Sequence, residues 1–325
     1  MNSPGRIPVT IISGFLGSGK TSRLRHMLTG KPDTAVIVNE FGAVGLDHEL
    51  LRASQERVEL VGGGCACCTR REDLAETLRE LLDARDRGRA QLRRVVIECS
   101  GLADPAPIVF TITHDAMLRH HFDVRRLIVT VDAVNGSHQL AAHPEVTKQV
   151  LLADELVVTK VDLLEHAPEA LIARLAELNP AASLRTALHG VLSDDPPLRT
   201  GTGKAPAAAE RLPDFAGHTD DVRSLTVATN DRVDWLGFAV WLSMLLHARG
   251  EQVLRVKGLL ELDGGTLVSV NGVQHVMHMP EHIPREEIAD PAASIVFITR
   301  GLDVARLQES LNTFQRLARV DAAVS

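Results

Sequence analysis

The chain contains no tyrosine, and aromatic residues make up only 3% of its 325 positions. A core with so few rings must be mostly aliphatic, and stacking platforms for the bases of single-stranded nucleic acid are scarce. There is no block of basic residues either: 35 lysines and arginines stand against 42 acidic side chains, a formal net charge of −7. That balance suits neither a nucleic-acid backbone nor an anionic membrane surface, so neither is expected as a partner. No apolar run is long enough for a bilayer-spanning helix, and the first residues lack a basic stretch followed by a signal-peptide core. The expected location is cytoplasmic. Cysteine is rare: there are four, and three of them are Cys65, Cys67 and Cys68. In a reducing compartment such a cluster points to metal or redox chemistry, not to a disulfide framework.

The length fits two domains. Through the first half, short apolar runs alternate with helical patterns. The runs are Val9–Ser13, Ala35–Asn39, Val95–Cys99, Leu127–Val131 and Leu156–Thr159, and the periodic stretches include Glu72–Asp86 and Ala167–Leu178. Strands alternating with helices imply βαβ units and a mostly parallel, doubly wound sheet. Near-continuous apolar strands imply that helices cover both sheet faces. A stretch rich in proline, glycine and alanine follows at about 193–222 and is expected to be a linker. Beyond it the pattern is strand (Ser224–Thr229), helix (Asp234–Arg249), strands (Val253–Leu262, Leu267–Met277), strand (Ser294–Thr299) and helix (Asp303–Ala318). The expected division is therefore a first domain over 1–192 and a smaller α+β domain over 223–325, of split βαβ or ferredoxin-like type.

Strand Val9–Ser13 leads into Gly14-Phe15-Leu16-Gly17-Ser18-Gly19-Lys20-Thr21 and then a helical stretch. This is a complete phosphate-binding loop in its strand–loop–helix context. Backbone N–H groups of Gly14, Gly17, Ser18 and Gly19 can turn toward phosphate oxygens, and the helix N-terminus adds a favourable dipole. Lys20 is placed for the β- and γ-phosphates and Thr21 for Mg²⁺. Glu98 ends the apolar strand Val95–Cys99, where a carboxylate can hold the Mg²⁺ water shell or orient an attacking water. A simple turn or cap carboxylate is the alternative. Thr159-Lys160-Val161-Asp162 resembles the base-reading Asn-Lys-x-Asp motif of GTPases, with threonine in place of asparagine. The Asp162 carboxylate can accept from both guanine N1–H and the exocyclic amine, a pair adenine does not offer, so GTP is expected over ATP. The segment Asn39–Asp47 starts at a strand end and is glycine-containing. It could order around the γ-phosphate and Mg²⁺, with Asp47 sensing the metal, or be a solvated loop.

Gly62-Gly63-Gly64-Cys65-Ala66-Cys67-Cys68 offers three thiolates on a pliable backbone, suited to Zn²⁺, Co²⁺ or Cu(I). Redox switching and simple packing are the alternatives. Cys99, within an apolar strand, is expected in the core. Of 14 histidines, His114 and His121 would share a helix face if helical, but at about 10 Å separation they are poorly placed to chelate one ion. His275 and His278 sit in a strand-like run, where alternate positions face opposite ways; exposed or satisfied histidines are the expectation throughout, with His114 as the one candidate for a remote ligand.

Together these motifs resemble, over nearly the whole chain, the CobW-type family of metal-handling P-loop GTPases, which includes zinc metallochaperones and nitrile hydratase activators. The segments that carry the resemblance are Gly14–Thr21, Asn39–Gly42, Gly64–Cys68, Glu98–Pro105 and Thr159–Asp162. Arg255–Gly258 through Phe297–Gly301 resembles the family's C-terminal domain. The resemblance implies GTP hydrolysis, with Lys20 on the phosphates, Thr21 on Mg²⁺ and Glu98 in the Mg²⁺ and water network, and guanine reading by Lys160 and Asp162. It further implies Zn²⁺, with Co²⁺ as the alternative, at Cys65, Cys67 and Cys68, handed to a client metalloprotein under nucleotide control. Thr159 departs from the commoner asparagine, and the chain has no histidine-rich tract, with only His189 and His218 near the linker. Further copies of the chain are an open alternative as partners, and Arg70 and Arg71 could supply an arginine finger. The competing functions are a cobalt-delivering chaperone, a nucleotide-gated regulator with a structural or redox-sensing cysteine loop, and a small-molecule kinase.

Overall fold

The structure, a computed structural model, describes residues 5–31, 33–39, 71–193, 198, 222–228, 233–262, 266–274, 276–284 and 294–324. Asp47, Cys65, Cys67, Cys68, most of Asn39–Asp47 and almost all of the expected linker lie outside the described residues. The chain divides into two compact units near residue 200, with Ala176–Ala181 grouped with the second.

The first unit contains β1 (Ile7–Gly14), α1 (Lys20–Leu28), β2 (Thr34–Asn39), α2 (Arg71–Asp86), β3 (Arg94–Cys99), α3 (Ala106–His114), α4 (Leu118–His121), β4 (Phe122–Asp132), α5 (Gly136–Ala142), α6 (Pro144–Leu152), β5 (Glu155–Thr159), α7 (Glu169–Leu178), β6 (Ser183–Leu188) and β7 (Val191–Leu192). Its seven strands lie in the order β2-β3-β1-β4-β5-β6-β7. All neighbours are parallel except the final β6–β7 pair. From β1 the chain builds outward first on one side and later on the other, so the carboxyl end of β1 is the topological switch point, where open α/β sheets bind ligands. Every residue of β5 is buried, as is all of β3 after its first position. This sandwiching explains the unbroken apolar runs.

Pattern alone missed β6 and β7. Ser183-Leu184-Arg185-Thr186-Ala187-Leu188 alternates too weakly to declare itself, and the β6–β7 turn has glycine only at its second position. His114 and His121 do not share a helix: His114 ends α3 and His121 ends the separate α4.

The second unit contains β8 (Val222–Ala228), α8 (Trp235–Arg249), β9 (Val253–Glu261), β10 (Leu267–Val273), β11 (Val276–Met277), β12 (Glu281–Ile283), β13 (Ser294–Arg300) and α9 (Val304–Val324). Strands β8 and β9 both run antiparallel to β13, which lies between them, while α8 connects them. That is a split βαβ unit. The expected single strand Leu267–Met277 is two strands: Gln274 adopts φ 53° and the chain doubles back, pairing Val273 with Val276. Alternation reads straight through so tight a turn because residues on either side of it remain apolar. The core here is richer in rings than the composition suggests. Phe238, Trp241 and Phe297 meet among Val256, Leu260 and Ile295. Trp241 Nε1–H donates to Ser310 Oγ at 2.9 Å, which satisfies its polar edge. Asp234 caps α8 by accepting from the Gly237 N–H at 2.6 Å.

Candidate functional site

The loop between β1 and α1 is held from behind. Ser18 and Thr130 share a 2.7 Å hydroxyl hydrogen bond, joining the loop to β4. Gly14 has φ 136°, and a Cβ there would run into Thr130 and Ser18. No other residue fits so close an approach. Gly19 opens α1 in the left-handed region, with φ 92°. The first turn of α1 carries no acidic residue and no side-chain cap, so its N–H groups remain available to an anion. Lys20 is buried, and its ammonium donates to Gly14 O at 2.9 Å and Phe15 O at 3.0 Å. The charge is thereby fixed against the backbone of the loop itself.

The structure brings Thr21 and Glu98 together. Thr21 Oγ1 donates to Glu98 Oε1 at 2.8 Å, across two elements that are 77 residues apart in sequence. Adjacent pairing of β1 and β3, with Ile12 opposite Glu98, produces that meeting. A hydroxyl and a carboxylate are hard oxygen donors, and one or two such groups plus phosphate and water are what Mg²⁺ takes. The donor set therefore fits the ion expected there. Cys99 is 1% exposed, and burial pushes its thiol up to about 12. It belongs to the core, as the apolar strand implied.

At the other end of the loop, Thr159 is buried and its hydroxyl donates to Ser18 O at 2.7 Å and Val131 O at 3.2 Å. Thr159 thus meets the nucleotide site through the loop it braces. Lys160 adopts φ 59° and sends its ammonium to Asp132 Oδ2 at 2.8 Å. Burial would raise the Asp132 carboxyl, but Lys160, the Asn135 amide and the N–H groups of Val134 and Asn135 hold it below its ordinary value. Lys160 is therefore fixed at its tip. Asp162 follows in a 3₁₀ turn, Val161–Leu163, with its side chain a quarter exposed. His189 Nε2 approaches Asp162 Oδ2 at 3.8 Å. It comes from the two-residue turn between β6 and β7, where both His189 and Gly190 have positive φ, the backbone twist hairpins favour. Arg23 Nη1 anchors that turn by donating to Gly190 O at 3.2 Å.

Thr130, Asp132 and Gln149 stand near this site without belonging to any of its sequence motifs. Asp132 carried a usable signal, since it ends an apolar strand just as Glu98 does. Thr130 and Gln149 carried none, because a lone hydroxyl or amide reveals its partner only in three dimensions.

Comparison with known proteins agrees with this geometry. Residues 8–185 match the CobW/HypB/UreG nucleotide-binding domain, and residues 222–315 match the cobalamin synthesis protein cobW C-terminal domain. The chain is 35% identical to the zinc chaperone YjiA of Escherichia coli, over 79% of this chain and 83% of that one. It is 32% identical to the zinc chaperone CobW of Pseudomonas aeruginosa, over 96% and 92% of the two chains. Among solved structures, Zn(II)-bound YjiA GTPase from E. coli superposes with a TM-score of 0.67 at 29% identity, covering 95% of this chain and 99% of that one. With a nucleotide-binding domain covering more than half its length and a CobW-type C-terminal domain after it, the chain belongs to the CobW/HypB/UreG family.

Proposed function

We propose that this protein is a GTP-hydrolysing zinc chaperone that binds Zn²⁺ through Cys65, Cys67 and Cys68 and passes it to a client metalloprotein under nucleotide control. The observation that carries the nucleotide half is the meeting of Lys20, Thr21 and Glu98 at the switch point of the sheet. In this reading Lys20 neutralises charge on the β- and γ-phosphates, Thr21 and Glu98 hold Mg²⁺ and its water, and Lys160 with Asp162 reads guanine. Asp47 would sense the metal from the Asn39–Asp47 segment. The metal half rests on the cysteine motif and on relatives named zinc chaperones. Three thiolates leave a tetrahedral ion one ligand short within the motif, and an incomplete site favours transfer over permanent retention.

Competition against a chromophoric chelator tests the metal half. Cys67→Ser combined with Cys68→Ser is expected to lower Zn²⁺ affinity by about 100-fold or more, since hydroxyls are poor replacements for thiolates at a borderline-soft ion. Unchanged tight binding would refute the assignment.

Nucleotide control makes a second demand. If GTP changes Zn²⁺ affinity by some factor, Zn²⁺ must change GTP affinity by the same factor. With a non-hydrolysable GTP analogue, a reciprocal change of about 5-fold or more is expected in both titrations. Equal affinities with and without the other ligand would remove the coupling while leaving both sites intact.

A further inference from the structure

The strand that carries Glu98 continues into the loop Ser100–Pro105, which packs against the phosphate-binding loop. A Cβ on Gly101 would come within 2.7 Å of both the backbone nitrogen and Cδ2 of Leu16. The loop therefore follows the Glu98 strand directly in sequence and touches the phosphate-binding loop at Leu16, so its position bears on how the two are held in register. Its internal hydrogen bonding is light: Ala103 N–H donates to Ser100 O at 3.0 Å, and Ala106 N–H to Asp104 Oδ1 at 2.9 Å.

The remaining support comes from α6. Gln149 is 1% exposed, and its Nε2 donates to Gly101 O at 3.1 Å and to Ala103 O at 3.0 Å. One side-chain amide thus spends both hydrogens on the backbone of this loop. The amide orientation follows from those partners, because the flipped form would set its oxygen against two carbonyl oxygens. Its Oε1 is buried and has no hydrogen-bond partner among the described residues. An orphaned buried acceptor is unfavourable, and an apolar side chain of similar shape would avoid it. What the amide contributes is therefore the pair of hydrogens it delivers. The neighbouring Lys148 adds an ion pair with Asp104 at 2.6 Å. At the start of the same helix, His143 stacks on Phe15 of the phosphate-binding loop, with ring centroids 4.6 Å apart.

We infer that Gln149 is a positioning residue for GTP hydrolysis: by tethering Gly101 and Ala103 it fixes the loop that follows Glu98 and keeps the water-orienting side of the site in register with the phosphate-binding loop. It touches neither nucleotide nor metal and acts only through the loop backbone. The inference rests on the hydrolytic function proposed above.

Two variants of the full chain test it, Gln149→Met and Gln149→Glu. Methionine keeps the volume and removes both donors. Glutamate keeps the shape but turns carboxylate oxygens toward the two carbonyls. Hydrogen exchange of the Ser100–Pro105 peptide in the nucleotide-free protein is expected to quicken in both. For GTP hydrolysis, kcat is expected to fall by about 10- to 100-fold, as for a catalytic group misplaced by a fraction of an ångström to an ångström. The glutamate variant should lose more than the methionine variant, and KM and GDP affinity should stay within about 2-fold of the parent, as when only transition-state interactions are lost. Unchanged exchange of the loop, or unchanged kcat with a loosened loop, would overturn the inference. So would a parallel loss of kcat and GDP affinity tracking a drop in melting temperature, which is the signature of general destabilisation. A parent protein that does not turn over GTP would instead overturn the hydrolytic function, with the exchange measurement still reporting on the tether.

Discussion

Replacing Asp162 by asparagine is expected to move the nucleotide preference from guanine to xanthine. Guanine presents two adjacent donors on one edge, N1–H and the exocyclic amine. A carboxylate accepts both, whereas a carboxamide offers one acceptor and one donor. In the variant, one guanine donor therefore faces an N–H, losing a charge-assisted hydrogen bond and leaving a polar group unpaired. Together these cost about 3–5 kcal/mol, or about 100- to 5,000-fold in affinity. Xanthine keeps N1–H but carries a carbonyl oxygen in place of the amine, so its edge matches the carboxamide. Affinities for GDP and for xanthosine diphosphate, measured in parallel by calorimetry, should move in opposite directions. Undiminished GDP affinity would mean that Asp162 does not read the base. The position of the residue favours the clean result. Its turn is held by Lys160, whose ammonium is paired with buried Asp132, and the Lys160 partner is untouched by the substitution.

The second large effect is expected from Lys20→Ala. The ammonium of Lys20 is fixed by Gly14 O and Phe15 O before any nucleotide arrives. A charge held in place in advance needs no reorganisation when negative charge shifts during phosphoryl transfer, and removing one such group typically costs about 10²–10³ in rate. Single-turnover phosphate release should slow by that factor. Lys20→Arg is expected to be a poor rescue, since a planar, forked guanidinium cannot reproduce a compact ammonium between two carbonyls. If Lys20→Ala released phosphate at about the parental rate, the cradle would not be the site of hydrolysis, because this loss of a preorganised charge could not be silent.

The parts of the molecule that were legible in the sequence are those where one residue's chemistry is sufficient by itself. The glycines and Lys20 of the loop, the burial of Cys99 and the acid at the end of β3 all follow from local pattern plus strand order. The alternation of apolar runs with helical stretches was enough to give a parallel sheet and, from Val222 onward, an α+β unit. What pattern could not reveal is the pairing between distant side chains. Thr159 looked like a weakened base contact, yet its hydroxyl is committed to Ser18 O and Val131 O. A β-branched hydroxyl at that place can bond backbone carbonyls behind the loop, a role that depends on β5 lying beside β4. Asp132, one residue beyond the apolar run Leu127–Val131, anchors Lys160, and nothing in its local pattern names that partner. The turn at Gln274 was hidden by apolar neighbours on both sides, which read as one continuous strand.

The same distinction explains the histidines. His114 and His121 looked paired only under the assumption of one helix; Asp115 breaks that helix, with its carboxylate accepting from the N–H groups of Met117 and Leu118 at 3.0 and 2.9 Å. These bonds, the Leu118 one first among them, hold the Asp115 carboxyl below its ordinary value. An aspartate able to cap a new helix is thus also a helix stop, a double meaning that spacing counts ignore.

The burial of Cys99 has a practical corollary for thiol chemistry. A sulfur with its pKa pushed up to about 12 and almost no exposed surface is scarcely ionised near neutrality, and the thiolate is the form that reacts with disulfide reagents and alkylating agents. Colorimetric thiol counting on the native protein therefore reports on Cys65, Cys67 and Cys68 without a background from the fourth cysteine. The proposed binding of Zn²⁺ by that short segment can therefore be tested as protection from labelling in the unmodified chain, with denaturant revealing Cys99 afterward as an internal standard for protein concentration.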